Sequence, residues 1–232
     1  ATLPTTITMS NVLVVGDLHA PFTRKGYLEH CKGVRDREKC ETVVLIGDVI
    51  DNHAASYHEH SPDGHSHGEE MERAIKEVAK WHRAFPKARI CIGNHDELVT
   101  RKAITHGISN KWIRSYNEVL GTNGWDWGYH HELDGVLFQH GTGLSGPGAP
   151  RSAILKQPRS GVFGHIHSAP GISYHASSRD LIFGMNVGCG VDIEAYAFAY
   201  GRFFQDKPVI SCGTVKNGVP ALHPMQLGVR YP

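Results

Sequence analysis

Five short segments of the 232-residue sequence gather side chains able to ligate metal: GDLHA (Gly16 to Ala20), GDVID (Gly47 to Asp51), GNHD (Gly93 to Asp96), QHG (Gln139 to Gly141) and GHIH (Gly164 to His167). From them come Asp17, His19, Asp48, Asn94, His140, His165 and His167, all oxygen or nitrogen donors. That donor set suits Mn²⁺, Fe or Zn²⁺, with Mn²⁺ the first choice and Ni²⁺ a further candidate. In a strand-end turn, residues i and i+2 can point the same way, so Asp17 with His19, and His165 with His167, can each place two donors in one pocket. A lone G-D-x-H is a weak signal, because the same residues suit a solvated turn. The ordered set is a strong one.

The rest of the composition fits a metal site better than a charged surface. Histidine is over-represented at 17 residues, and imidazole is the commonest metal ligand. Lys plus Arg number 24 against 23 Asp plus Glu, so the formal charge of +1 gives no global field for polyanions. The five cysteines, Cys31, Cys40, Cys91, Cys189 and Cys212, are scattered and form no C-x-x-C pair. That argues against a disulfide framework and a thiolate zinc site. No basic and apolar leader opens the sequence and no run approaches the length of a membrane span, which predicts a soluble, cytoplasmic protein without a membrane partner.

Something must hold the five segments on one edge. Apolar, β-branched runs precede them at Val12 to Val15, Val43 to Ile46, Arg89 to Ile92, Val136 to Phe138 and Val162 to Phe163, with the length and composition of buried strands. Four of the five run into glycine, which permits a sharp turn at a strand end. Between them, Met71, Ala74, Ile75, Val78, Ala79, His82 and Phe85 follow helical spacing and predict a helix over Glu69 to Phe85. A second helix is predicted from an N-cap at Ser109 through Trp112, Ile113, Tyr116, Val119 and Leu120 to Gly121. Asp134-Gly135 and Asn217-Gly218 are hairpin signals that add antiparallel pairing. No repeat or linker divides the chain, so residues 1–232 are expected to form a single α/β domain.

On these motifs the sequence resembles the calcineurin-like metallophosphoesterase superfamily, whose segments run in this order as G-D-x-H, G-D, G-N-H-D/E, H and G-H-x-H. The resemblance spans Gly16 to His167. It implies two packed mixed β-sheets flanked by helices, with the metal site at the C-terminal ends of strands. It also implies two divalent ions: Asp17, His19 and His167 would hold one, Asn94, His140 and His165 the other, and Asp48 would bridge them. Two such cations can turn a bridging water into a hydroxide nucleophile and neutralise a phosphoryl group during in-line attack. By the same resemblance His95 would protonate the leaving alkoxide, and Asp51 would orient and charge His95. Scaffold members of the superfamily typically lose ligands or this histidine, and the sequence keeps both.

Substrate class is less sharply written. Resembling protein phosphatases follow the Asp51 position with an arginine that clamps a monoester dianion, whereas this sequence has Asn52. A phosphodiester, either nucleic acid or a nucleotide, is therefore the expected substrate, ahead of a phosphomonoester on a small molecule or phosphoprotein. From Val136 to Arg179 there is no acidic residue, and Arg151, Lys156 and Arg159 are candidates for a basic, substrate-binding rim. The loop Asn52 to Gly68 carries His53, His58, His60, His65 and His67, of which His53 is the best placed to reach substrate. GTGLSG (Gly141 to Gly146) matches a dinucleotide fingerprint in form, but Pro147, Gly148 and Pro150 follow where a helix should open, and no acid appears before Asp180. A mobile Gly-rich loop is expected there. No P-loop ending and no G-x-S-x-G elbow occur, which removes the main support for nucleotide-driven motors and serine hydrolases.

Overall fold

The computed structural model describes residues 9–56, 65–195 and 207–225. Its strands are β1 (Val12–Val15), β2 (Thr42–Leu45), β3 (Arg89–Cys91), β4 (Asp126–Gly128), β5 (His130–Leu133), β6 (Val136–Gln139), β7 (Gly161–Phe163), β8 (Gly171–Ala176), β9 (Leu181–Asn186), β10 (Ser211–Lys216) and β11 (Val219–Pro224). The helices are α1 (Tyr27–Glu38), α2 (His67–Ala84), α3 (Leu98–Thr105), α4 (Tyr116–Leu120) and α5 (Ala149–Lys156).

The strands form two mixed sheets, ordered β11-β10-β1-β2-β3-β4 and β5-β6-β7-β9-β8. In the first, β1 to β4 run parallel and β10 pairs antiparallel with β1. In the second, β6, β7 and β9 are parallel, with β5 and β8 antiparallel at the edges.

Alternation along β1 and β2 explains why both read as unbroken apolar runs. Leu13, Val15, Val43 and Leu45 join the cluster that includes Tyr27, Val34, Val78 and Trp81 of α1 and α2. The intervening Val12, Val14 and Val44, with Ile46 beyond β2, pack against Phe138, Val162, Phe183 and Met185 of the second sheet. One face meets helices and the other meets a sheet, so both must be apolar. On the far side, α5 packs on β8 and β9.

The long predicted helix is present as α2, capped by Ser66 in a capping box with Glu69, so it starts slightly earlier than its apolar period. Trp81, absent from the predicted stripe, is fully buried, whereas His82 is half-buried. The helix predicted over Ser109 to Gly121 is two pieces. A 3-10 turn at Asn110–Trp112 ends where Ile113 becomes extended, and α4 starts afresh from Ser115, whose hydroxyl and Glu118 form a second capping box. That local N-cap outcompetes continuation from Ser109, and it leaves Trp112 83% exposed, outside the core. The segment after Gly146 also departs from expectation. Helix α5 does open there, with Pro150 in its first turn, where a missing N–H costs nothing. The hairpins occur as expected: both central residues are left-handed at Asp134-Gly135 and Asn217-Gly218, joining β5 to β6 and β10 to β11. All five cysteines are free and buried. No helix among the described residues is long and apolar enough to cross a membrane.

Candidate metal centre

The ligand candidates follow β1, β2, β3, β6 and β7, so both sheets deliver their C-terminal ends to one place. Local backbone geometry makes the convergence possible. His19, Asp48 and His165 all have positive φ, at 45°, 46° and 68°. Each is a left-handed conformation that a non-glycine residue adopts at a cost, of order 1–3 kcal/mol, and that concentrates at functional sites. Two glycines clear the space beside the carboxylates. A Cβ on Gly93 would collide with the Asp48 carboxylate, and one on Gly164 with that of Asp17.

Two groups of donors result. In one, His167 Nε2 lies 3.1 Å from Asp17 Oδ2 and 3.2 Å from His19 Nε2. In the other, His140 Nε2 lies 3.0 Å from Asn94 Oδ1, 3.2 Å from His165 Nδ1 and 3.2 Å from Asp48 Oδ2. The same Asp48 Oδ2 is 3.5 Å from His19 Nε2, so one carboxylate oxygen stands between the groups. The partners of the other ring nitrogens fix the tautomers. His140 Nδ1 donates to Ile46 O at 3.2 Å, and His19 Nδ1 donates to Asp51 Oδ1 at 2.6 Å. In both, Nε2 is the atom that would ligate a metal.

These residues fit divalent ions. Two oxygens and an imidazole nitrogen surround His140 Nε2, more than one proton there could serve. Asp17 Oδ1 is buried with no hydrogen-bond partner among the described residues, which is costly unless a cation is meant to meet it. Charge is tightly balanced as well. Burial opposes a charge on His140, but Asp48 and Asp17 outweigh it and push the imidazole up to about 10. Burial, then the neighbouring His95, holds His19 well below its usual value. Burial also opposes ionisation of Asp48, yet His140 and His95 keep it well below the usual carboxylate range.

His95 borders this centre at 17% exposure, against 0% for Asp51. Its main-chain N–H donates to Asp48 Oδ1 at 2.8 Å, and its Nδ1 donates to the main-chain oxygen of Asp51 at 2.7 Å. The Asp51 carboxylate is farther from that nitrogen, at 3.4 Å, and closer to His19 Nδ1, at 2.6 Å. Asp51 thus meets His95 with its backbone oxygen through a hydrogen bond and with its carboxylate through charge. Burial opposes protonation of His95, but the Asp48 and Asp51 carboxylates raise its pKa overall.

The predicted substrate contacts fare differently. His53 is fully buried, with Nδ1 3.0 Å from Glu70 Oε2 and its ring edge-on to Phe22, so it does not reach the surface. Its sequence position beside the site is right, but the 3-10 turn at His53–Ala55 points it inward. Arg159 is paired with Glu132 at 2.6 Å, which sequence distance concealed. Arg151 is exposed on α5 but does not line the cavity beside His140, whereas Lys156 does. Of the three, Lys156 alone lines that cavity. His58 and His60 lie outside the described residues, and His67 Nε2 stands 3.4 Å from Asn52 Oδ1. Sequence reasoning missed Glu70, which accepts from the main-chain N–H groups of His53 and Ala54. It also missed Glu97 and Tyr129 in the wall of that cavity. Glu97 directly follows GNHD, the one signal that could have flagged it.

Sheet architecture and donor clusters together are those of the metallophosphoesterase fold. The chain belongs to the calcineurin-like phosphoesterase family, whose model matches residues 10–186. Among solved structures it is similar to a metallophosphoesterase from Sphaerobacter thermophilus, at 15% identity over 94% of this chain and 89% of that one, with a TM-score of 0.47. It is similar also to Vacuolar Protein Sorting 29 from Cryptosporidium parvum, at 15% identity over 94% and 97% of the two chains and a TM-score of 0.46. A third is Yfce, a phosphoesterase from E. coli, at 16% identity over 90% of each chain and a TM-score of 0.42. No curated protein matches the chain.

Proposed function

We propose that the protein hydrolyses phosphodiesters, with a nucleotide or nucleic acid as substrate and two divalent ions, Mn²⁺ in first place, as cofactors. The observation that carries the reading is the Asp48 carboxylate oxygen shared between two complete donor groups. When bound, two cations at such a site supply an activated water and neutralise charge on the phosphoryl group. The chain's own residues do the rest. Asp51 holds the His19 ring so that Nε2 faces the site. His140 is held likewise through Ile46 O. His95, with Nδ1 committed to Asp51 O, has Nε2 to give a proton to the departing oxygen, a contribution typically worth about 10² to 10⁴ in rate.

The diester preference rests on Asn52. Its side chain is buried and its Nδ2 donates to His95 O at 3.0 Å, so no cation occupies that position to clamp a second negative charge. Bis-p-nitrophenyl phosphate should be turned over with Mn²⁺, at a higher kcat/KM than p-nitrophenyl phosphate. Asp48→Asn should lose both bound ions together. Turnover without metal, or full activity with one ion per chain, would overturn the dinuclear reading, and a monoester preference would overturn the diester one.

A further inference from the structure

A cavity of about 450 Å³ opens from the metal ligand His140. It lies between the turn after β3, the segment after β6 and helix α5, where the ends of the two sheets meet. Its walls are of two kinds. Ile92, Leu144 and the ring of Tyr129 supply apolar surface, and Tyr129 is 64% exposed. Glu97, Gln139, Gln157 and Lys156 supply one carboxylate, two amides and one ammonium. Tyr129 and Glu97 are fixed to each other, the phenol donating to Glu97 Oε1 at 2.7 Å. A second, smaller hollow of about 230 Å³ shares Ile92, Glu97 and Tyr129 and continues away from the metals.

We infer that this cavity is a nucleoside-binding subsite that receives an ester substituent of the substrate, with Tyr129 as the stacking face and Glu97 as the acceptor for N–H groups on the base edge. The inference rests on the phosphodiesterase reading above and names its substrate. The chemistry excludes the main competitors. A polyphosphate or a flanking phosphate would meet the Glu97 carboxylate, and an acyl chain would lay hydrocarbon against Glu97 and Gln139 and offer neither a hydrogen-bond partner. A nucleoside has a π-face for an aromatic ring, and base–aromatic stacking is worth about 1–3 kcal/mol. It also carries both donors and acceptors for a carboxylate and two amides. The volume falls within the range of small-molecule sites, roughly 300–1,000 Å³.

Two measurements test this. Calorimetric titration of the Mn²⁺-loaded protein with nucleoside 5′-monophosphates, inorganic phosphate and glycerol phosphate should show the nucleotides binding at least about tenfold more tightly. Tyr129→Ala, Glu97→Gln and Lys156→Ala should each erode that margin about threefold or more. Lys156 is exposed on α5, so its variant keeps the test open if another fails to fold. In parallel, kcat/KM for p-nitrophenyl esters of nucleoside 5′-monophosphates should exceed that for methyl p-nitrophenyl phosphate, and the same substitutions should shrink the ratio. Nucleotide and phosphate binding alike, a stronger preference for glycerol phosphate, or a margin untouched by all three variants would overturn the subsite. Failure to hydrolyse even the methyl ester would instead count against the hydrolase reading, and the titration would still decide the subsite.

Discussion

His95 and Asp51 stand beside each other in space, joined through the Asp51 backbone oxygen, while the Asp51 carboxylate also holds His19. Because His95 comes within 4.8 Å of donor atoms on His19 and Asp48, it could in principle complete a metal site rather than serve as proton donor, and metal content separates the two roles. His95→Ala should retain both ions and lose about 10² or more in kcat for an alkyl ester, and much less for a nitrophenyl ester that needs no proton. Equal losses on both esters, or a missing ion, would exclude the proton-donor role. For Asp51 the structure adds a second contact. Its carboxylate orients His19, so Asp51→Asn should weaken one of the two ions by about 10- to 100-fold, the usual cost of removing the partner that orients a metal-binding histidine. Stepwise metal titration should show one affinity altered and the other kept. All seven ligand candidates were legible as residue types in motifs. Which oxygen or nitrogen each one uses was not, because that depends on partners such as Ile46 O and Asp51 Oδ1 that share no motif with the ring they orient.

At the scale of elements, the strands that feed the site were readable because they are apolar on both faces, and the hairpins because their turn residues tolerate positive φ. Helix α1 escaped notice since only Tyr27, Cys31 and Val34 on it are buried, too few to stand out among charged neighbours. The reach of α2 into the site was equally hidden. Its first turn carries Glu70, buried to 2% exposure, which accepts from His53 and Ala54 main-chain N–H groups at 2.9 and 3.1 Å. By pinning the turn at His53–Ala55, it fixes the backbone just past Asp51 and Asn52, which in turn hold His19 and the His95 carbonyl. Glu70→Ala strands those donors and should cost about 1–3 kcal/mol of stability. A merely structural glutamate would do no more than that. If Glu70 positions the site, the variant should also lose affinity for the ion held by Asp17, His19 and His167 while the other ion binds normally, and Glu70→Gln should restore part of it by keeping one acceptor oxygen. Unchanged affinity for both ions in a destabilised variant would reduce Glu70 to a packing role.

For the molecule as a whole, Asp17, His19, Asp48 and Asn94 follow strands of one sheet, whereas His140, His165 and His167 follow strands of the other. The motif order in the sequence carried this division, and the resemblance implied that two sheets would pack, but no residue pattern named the contacts among Val14, Ile46, Phe138 and Met185. That contact arises from apolar residues too evenly spread to name their partners. Its consequence is that two ions held as proposed would cross-link the two sheets and bind only where they are packed. Binding to the native state alone adds about 2.7 kcal/mol per ion at a concentration 100-fold above its dissociation constant. For a domain of roughly this size each kcal/mol moves Tm by about 2–4 °C. Saturation with Mn²⁺ should therefore raise Tm by about 5–10 °C per ion over the chelator-treated protein, with two separable increments as concentration rises. Asp48→Asn should flatten both increments, since its carboxylate serves both donor groups, whereas Asn94→Ala should flatten mainly one. A Tm indifferent to Mn²⁺, Zn²⁺ and Ni²⁺ alike would mean that the donors converge without binding metal, and the hydrolase reading would fall with them.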